Sequence, residues 1–198
     1  MKKILALGVF VCCLGILPAV AQKNNRSAAP SPNDSPAVKT KKNADAALAW
    51  KEFTSDRYDF WIDFPGDEKQ VVEGSADEFH NFDVYTKKAH FGVAVKNMLV
   101  SLSNRQLEVL FESIVEETED EKTRLVGNRD VYLDGILGKE LIYEEGDRLV
   151  FGRFFVLERK LFVLTVDLAR KDYDKNFDRA VKRFFDSFGV AINVKMDA

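Results

Sequence analysis

The chain has 198 residues, of which 46% are hydrophobic and 31% charged, with 11 Gly and 5 Pro. That composition excludes collagen-like, mucin-like and wholly disordered chains, and the length fits one ordinary domain plus an extra segment. A formal net charge of -3 excludes a nucleic-acid binder that works through a basic patch.

Residues 1–21 read as an address. Lys2 and Lys3 precede an apolar run from Ile4 to Val20, which ends in Ala19-Val20-Ala21 before Gln22. A basic start, a short apolar core and an A-x-A end are the parts of a secretory signal peptide. The reading is cleavage after Ala21 and an extracytoplasmic destination, periplasmic or secreted. A retained anchor is the alternative. Lipid attachment at Cys12 or Cys13 is disfavoured, because Val9-Phe10-Val11 lacks the small residues such processing needs. Both cysteines fall in this segment, so the mature chain has no disulfide, thiol nucleophile or cysteine-ligated metal.

Residues 22–48 contain no aromatic residue, carry Pro30, Pro32 and Pro36, and hold more basic than acidic side chains. Such a stretch buries too little apolar surface to offset ordering its backbone, and is expected to be a disordered linker. The composition then changes: fifteen of the 16 Phe and both Trp lie beyond residue 48. One domain over 49–192 is expected, with a short tail at 193–198.

Within it the apolar period is mostly two. Trp50–Thr54 is a short strand, and Tyr58, Phe60, Ile62 and Phe64 alternate with Asp59, Trp61 and Asp63 as a half-buried one. Pro65-Gly66 ends it. A weaker strand is expected near Lys69–Glu73, then a hairpin of Glu78–Thr86 and Phe91–Val100. The period switches to 3.6 at Leu107, Leu110, Phe111, Ile114, Val115 and Thr118, a helical stripe opened by a Ser103/Gln106 capping box. Its acidic end opposes the helix dipole and should fray. Strands follow at Arg124–Leu133, Ile136–Glu144, Arg148–Leu157 and Leu161–Leu168. The last two are apolar on both faces and belong at the centre of a sheet. A final helix spans about Tyr173–Phe188. The fold class is α+β: a mainly antiparallel sheet with helices packed on both faces, an α/β/α sandwich.

Gly146-Asp147 is a type II′ hairpin signal. It sets Tyr143 against Val150, Ile142 against Phe151, and Glu140 against Arg153. Glu140 and Arg153 share a face with Ile142, Phe151 and Phe155, so they are expected to be a buried structural ion pair that fixes the register. A charged site inside a pocket is the other reading.

No nucleophile elbow, phosphate-cradling glycine loop, zinc-protease motif or calcium loop is present. The hairpin places His80 and His90 too far apart to share a metal or a catalytic dyad. The chain is therefore read as non-enzymatic, with no metal site and no cofactor. Trp61, flanked by Asp59 and Asp63, is the candidate partner contact, as an aromatic anchor among acids. Cover by the linker or a helix is the competing explanation.

Phe53-Thr54-Ser55 leading to Phe60-x-Ile62-x-Phe64-Pro65-Gly66, then Gly138-Lys139-Glu140, Gly152-Arg153-Phe154 and Asp186-Ser187-Phe188, resemble the PsbP-like α/β/α sandwich over about residues 50–192. The resemblance implies a small secreted bacterial domain of unassigned activity, a binding or assembly module. The functional expectation is a non-enzymatic module for an unknown protein partner in the cell envelope. It has no nucleic-acid partner, no membrane span once the signal is removed, and a monomeric state. The alternative is a carrier of a small apolar ligand between sheet and helix, suggested by the many Phe. A hydrolase with a cryptic carboxylate site is less favoured.

Overall fold

A computed structural model describes residues 49–66 and 70–191. The expected signal segment, linker and C-terminal tail lie outside the described residues. Among the described residues there are ten strands and two principal helices, in the order β1 (Trp50–Ser55), β2 (Phe60–Pro65), β3 (Val72–Ala76), β4 (Phe79–Tyr85), β5 (Ala89–Asn97), α1 (Asn104–Thr118), β6 (Thr123–Leu133), β7 (Ile136–Glu145), β8 (Arg148–Leu157), β9 (Lys160–Ala169), α2 (Lys175–Asp186) and β10 (Gly189–Val190).

Seven strands form one antiparallel sheet in the order β3-β4-β5-β9-β8-β7-β6. The doubly apolar strands β8 and β9 occupy its interior, where both faces are covered. Gly146 takes a positive φ of 59 and Asp147 does not, the II′ pattern. The register that follows pairs Tyr143 with Val150, Ile142 with Phe151 and Glu140 with Arg153, as the turn chemistry requires.

The architecture is α+β, and it departs from a single sheet with one helix per face. β1 and β2 do not join the large sheet. With β10 they form a separate three-stranded sheet, order β1-β2-β10. The cause lies in β2: Phe60, Ile62 and Phe64 are fully buried on one side, so the strand lies flat on the large sheet instead of adding to its edge. The small sheet and α2 share one face, with Phe177, Val181, Phe184 and Phe185 of α2 in the same core as Phe60, Phe64, Phe91 and Phe162. The other face is covered by α1, whose Leu107, Leu110, Phe111, Ile114 and Val115 pack against Leu141, Phe154 and Val163. Each fully buried Phe contributes about 1.5–3 kcal/mol of burial energy, so these two layers hold the fold without covalent cross-links.

The capping box forms: the Ser103 amide and hydroxyl both donate to Gln106 Oε1, at 2.9 and 2.8 Å. Asp174 caps α2, accepting from the Asn176 and Phe177 amides at 2.8 Å each. The acidic end of α1 is used as a turn, with Asp120 Oδ1 accepting from the Lys122 and Thr123 amides. The third strand begins at Val72, a few residues later than its sequence suggests.

The strand directions set two poles. Ala49 sits where β1 begins, its carbonyl accepting from the Gly66 amide at 2.6 Å. The β1–β2 turn lies at the far end, and there the Ala191 amide donates to the Asp59 carbonyl at 2.8 Å. The described fold is entered at one pole and left at the other.

Candidate binding groove

The exit pole carries an open groove of about 810 Å³. Three separate stretches build it: the β1–β2 turn with Arg57 and Tyr58, the β3–β4 turn around Asp77 and Glu78, and the segment after β5 that holds Met98, Leu99 and Val100. Asp77 and Glu78 form a two-residue turn with positive φ at both positions. This is the geometry that lets β3 and β4 close tightly and brings Phe79 and His80 to the groove wall.

The wall is aromatic and held in place. His80 Nδ1 lies 2.9 Å from Ser75 Oγ and its Nε2 lies 3.3 Å from Glu73, while its ring packs on Tyr58 and Phe82. The Arg57 guanidinium lies 5.3 Å over the Tyr58 ring. Lys96 bridges to Glu78 at 2.6 Å and lies over the Phe79 ring. The rim is different. Leu99 is 91% exposed and Val100 59%, although Arg159 fixes the backbone beneath them. The Met98 amide donates to the Arg159 carbonyl at 2.6 Å, and Arg159 Nη2 donates to the Leu99 carbonyl at 2.5 Å. Two adjacent apolar side chains thus face solvent on an anchored backbone beside a cleft of mixed charge.

The residues singled out from sequence lie elsewhere. Trp61 is 39% exposed on the outer face of the small sheet. Its ring lies over Gly189, where a Cβ would come within 2.3 Å of it. Asp59 bridges Lys160 at 2.9 Å, and Asp63 bridges Arg183 at 2.9 Å. Both acids are committed to holding elements together: Lys160 ties the β1–β2 turn to β9, and Arg183 ties α2 to β2.

Glu140 and Arg153 meet, Nε to Oε2 at 2.5 Å, and Glu140 is only 4% exposed. The arrangement is larger than a pair. Arg129 of β6 reaches Glu140 Oε1 at 2.6 Å, and Arg153 also reaches Asp186 of α2 at 3.3 Å while lying over the Phe185 ring. Burial pushes the Asp186 carboxyl up, but the Lys182 hydrogen bond and the Lys182 and Arg153 charges outweigh it and hold it below its ordinary value. On the opposite face Asp167 takes a bidentate contact from Arg148, at 2.7 and 2.6 Å. That hydrogen bond raises the Arg148 guanidinium further above its already high value. None of these groups lines the groove.

The histidines are apart. His80 pairs across the hairpin with Val95, and His90 with Tyr85, placing them about 16 Å apart along β5 at roughly 3.3 Å per residue. His90 Nε2 lies 2.7 Å from Asp83 Oδ1, and its ring stacks on Tyr85. Among the described residues, no three His, Asp or Glu side chains converge to hold a metal, and no helix is long and apolar enough to cross a membrane.

Compared with known proteins, the sequence matches no family model and no curated protein. The structure matches solved ones. It superposes on cyanobacterial PsbP (CyanoP) from Synechocystis sp. PCC 6803 with a TM-score of 0.54 at 10% identity, covering 73% of this chain and 94% of that one. The chain has a PsbP-like fold. A Pseudomonas aeruginosa protein of unknown function, PA94, aligns to this PsbP-like domain at a TM-score of 0.47 and 11% identity, covering 72% of this chain and 98% of that one.

The groove was not legible in the sequence. Its lining comes from three stretches separated by tens of residues, with no motif spacing. The one local signal was Met98-Leu99-Val100, an apolar triplet just beyond the end of a strand and before a helix cap.

Proposed function

We propose that this PsbP-like domain is a non-enzymatic, extracytoplasmic binding module that seats a protein segment in the exit-pole groove. The observation that carries it is the exposed Leu99-Val100 pair on an anchored backbone beside the aromatic wall. Solvent exposure of adjacent apolar side chains on a fixed loop is unfavourable in isolation and is offset by burial against a partner. The groove's size falls within the roughly 300–1,000 Å³ of ligand sites, and its rim of both charges suits a polypeptide with alternating side chains. The interior gives less support to a carrier of an apolar ligand, because its rings already fill the space between the layers, as with Phe60, Phe162 and Phe188 at 5.4–6.0 Å.

A photo-crosslinking side chain at Leu99, expressed in the native host, tests the reading. The expected result is a discrete protein adduct that is absent when the same group replaces Tyr132, an exposed residue on β6 away from the groove. Equal adducts at both positions, or none at Leu99, would overturn it.

A further inference from the structure

Among the described residues, four hairpins close in two residues: Asp77-Glu78, Asp134-Gly135, Gly146-Asp147 and Glu158-Arg159. Such turns need φ above zero at one or both positions, which glycine adopts freely and a residue with a Cβ does not. Two of the four supply a glycine there, Gly135 and Gly146. The two that supply none are the two at the groove. Asp77-Glu78 lines it, with φ of 46 and 71. Glu158-Arg159 stands beside it, with φ of 52 and 133. The value at Arg159 lies well beyond the left-handed basin at about +60 that side chains occasionally visit, so its backbone is strained. Strain of that kind persists only where surrounding contacts impose it, and it gathers at functional sites.

The contacts of this turn run to two sides of the groove. The Arg159 carbonyl accepts from the Met98 amide at 2.6 Å, and Arg159 Nη2 donates to the Leu99 carbonyl at 2.5 Å. The next residue, Lys160, donates to the Tyr58 carbonyl at 3.3 Å and to Asp59 Oδ2 at 2.9 Å. Two consecutive residues thus fasten rim and wall to one turn, and neither of them lines the groove. We infer that Arg159 is a positioning residue for the partner, kept in a strained conformation because it brings both its carbonyl and its guanidinium onto the Met98–Leu99 backbone. This rests on the reading of the groove as a seat for a protein segment. Leu99 is 91% exposed, so burial does little to fix the rim, and these two hydrogen bonds hold it before a partner arrives. A pre-formed apolar pair relieves the partner of the cost of ordering it. A glycine at 159 would relax the turn but lose the guanidinium. The local rule is broken where a contact to the site replaces it.

Arg159→Ala and Arg159→Gly test this, because both remove the guanidinium and only glycine also relieves the backbone. In an unstrained turn alanine is the more stable of the two. Here the glycine variant should have the higher urea midpoint, while both variants loosen the rim. In protein purified from the native host, the NMR backbone order parameters of Leu99 and Val100 should fall from about 0.85, the value of rigid backbone, to below about 0.6. The yield of the Leu99 photo-adduct should fall about fivefold, the weight of one hydrogen bond. It should fall as far in the glycine variant as in the alanine one, so that the loss does not follow stability. A glycine midpoint at or below that of alanine would show that Arg159 is not strained. Unchanged order parameters would show that it does not hold the rim. A looser rim with an undiminished adduct would show that the partner does not need it held. Each of these overturns the inference and leaves the binding module in place. A wild-type chain that gives no adduct removes the binding module itself, and the inference with it.

Discussion

A single buried carboxylate, Glu140, holds two guanidinium groups from the strands on either side, Arg129 on β6 and Arg153 on β8. A charge at that depth is tolerated only when paired and hydrogen-bonded. The two arginines divide the task between its two oxygens. The Arg129→Ala/Arg153→Ala double variant should therefore lose about 3–5 kcal/mol, the cost of stranding a buried charge. Either single variant should lose clearly less, because the other arginine remains. Urea denaturation of the three variants checks this, and equal losses in singles and double would show that the arginines do not share the load. The pairing of Glu140 with Arg153 was readable because Gly146-Asp147 fixes the hairpin count. Arg129 was readable in the same way and was missed: Asp134-Gly135, both at positive φ, close the β6–β7 hairpin and set Leu133 against Ile136 and so Arg129 against Glu140, while the bulge between Leu125 and Gly127 lies further along the strand.

At the scale of elements, α2 is bonded at both ends to something other than its own backbone. Asp174 satisfies its first amides, and its last turn holds Asp186 against Lys182 and Arg153. A carboxylate at a helix C-terminus opposes the helix dipole, so its depressed titration comes from those two cations. A folded-state value below the unfolded one means stability that is present above the ordinary value of 3.8 and lost as pH falls below it. Because the group is largely exposed, the loss should be under about 1 kcal/mol. Urea midpoints of wild type and Asp186→Asn, compared at pH 6 and pH 3, should lie apart at the higher pH and converge at the lower. A constant gap would place the effect in packing. The two helices and most strands were legible because their apolar periods are local properties of the chain. Membership of β1 and β2 in a second sheet was not, since their alternation is the same whichever sheet they join. β10, two residues long, leaves no period to read.

Over the whole molecule, one core joins the two sheets. Phe60 of β2 packs on Phe162 of β9, and Phe188 beside β10 stacks on Phe155 of β8. Both tryptophans, Trp50 and Trp61, belong to the small sheet, so their fluorescence reports that layer, while far-UV circular dichroism is dominated by the large one. A shared core predicts a single cooperative transition, with the two signals giving the same urea midpoint. An earlier fluorescence midpoint would show that the small sheet detaches first. What the sequence could not show at this scale was the groove, because proximity between residues 57, 78 and 99 exists only after the layers assemble.

The entry and exit of the fold at opposite poles, with β2 between β1 and β10, has a mechanical consequence. Tension applied between Ala49 and Ala191 runs along the strand axes, while the backbone hydrogen bonds to β2 lie across them. The rungs on each side of β2 are then loaded together in shear instead of being unzipped in turn. A domain held at its first strand and gripped near its last would stay folded under a pull that would peel open a hairpin loaded from one end.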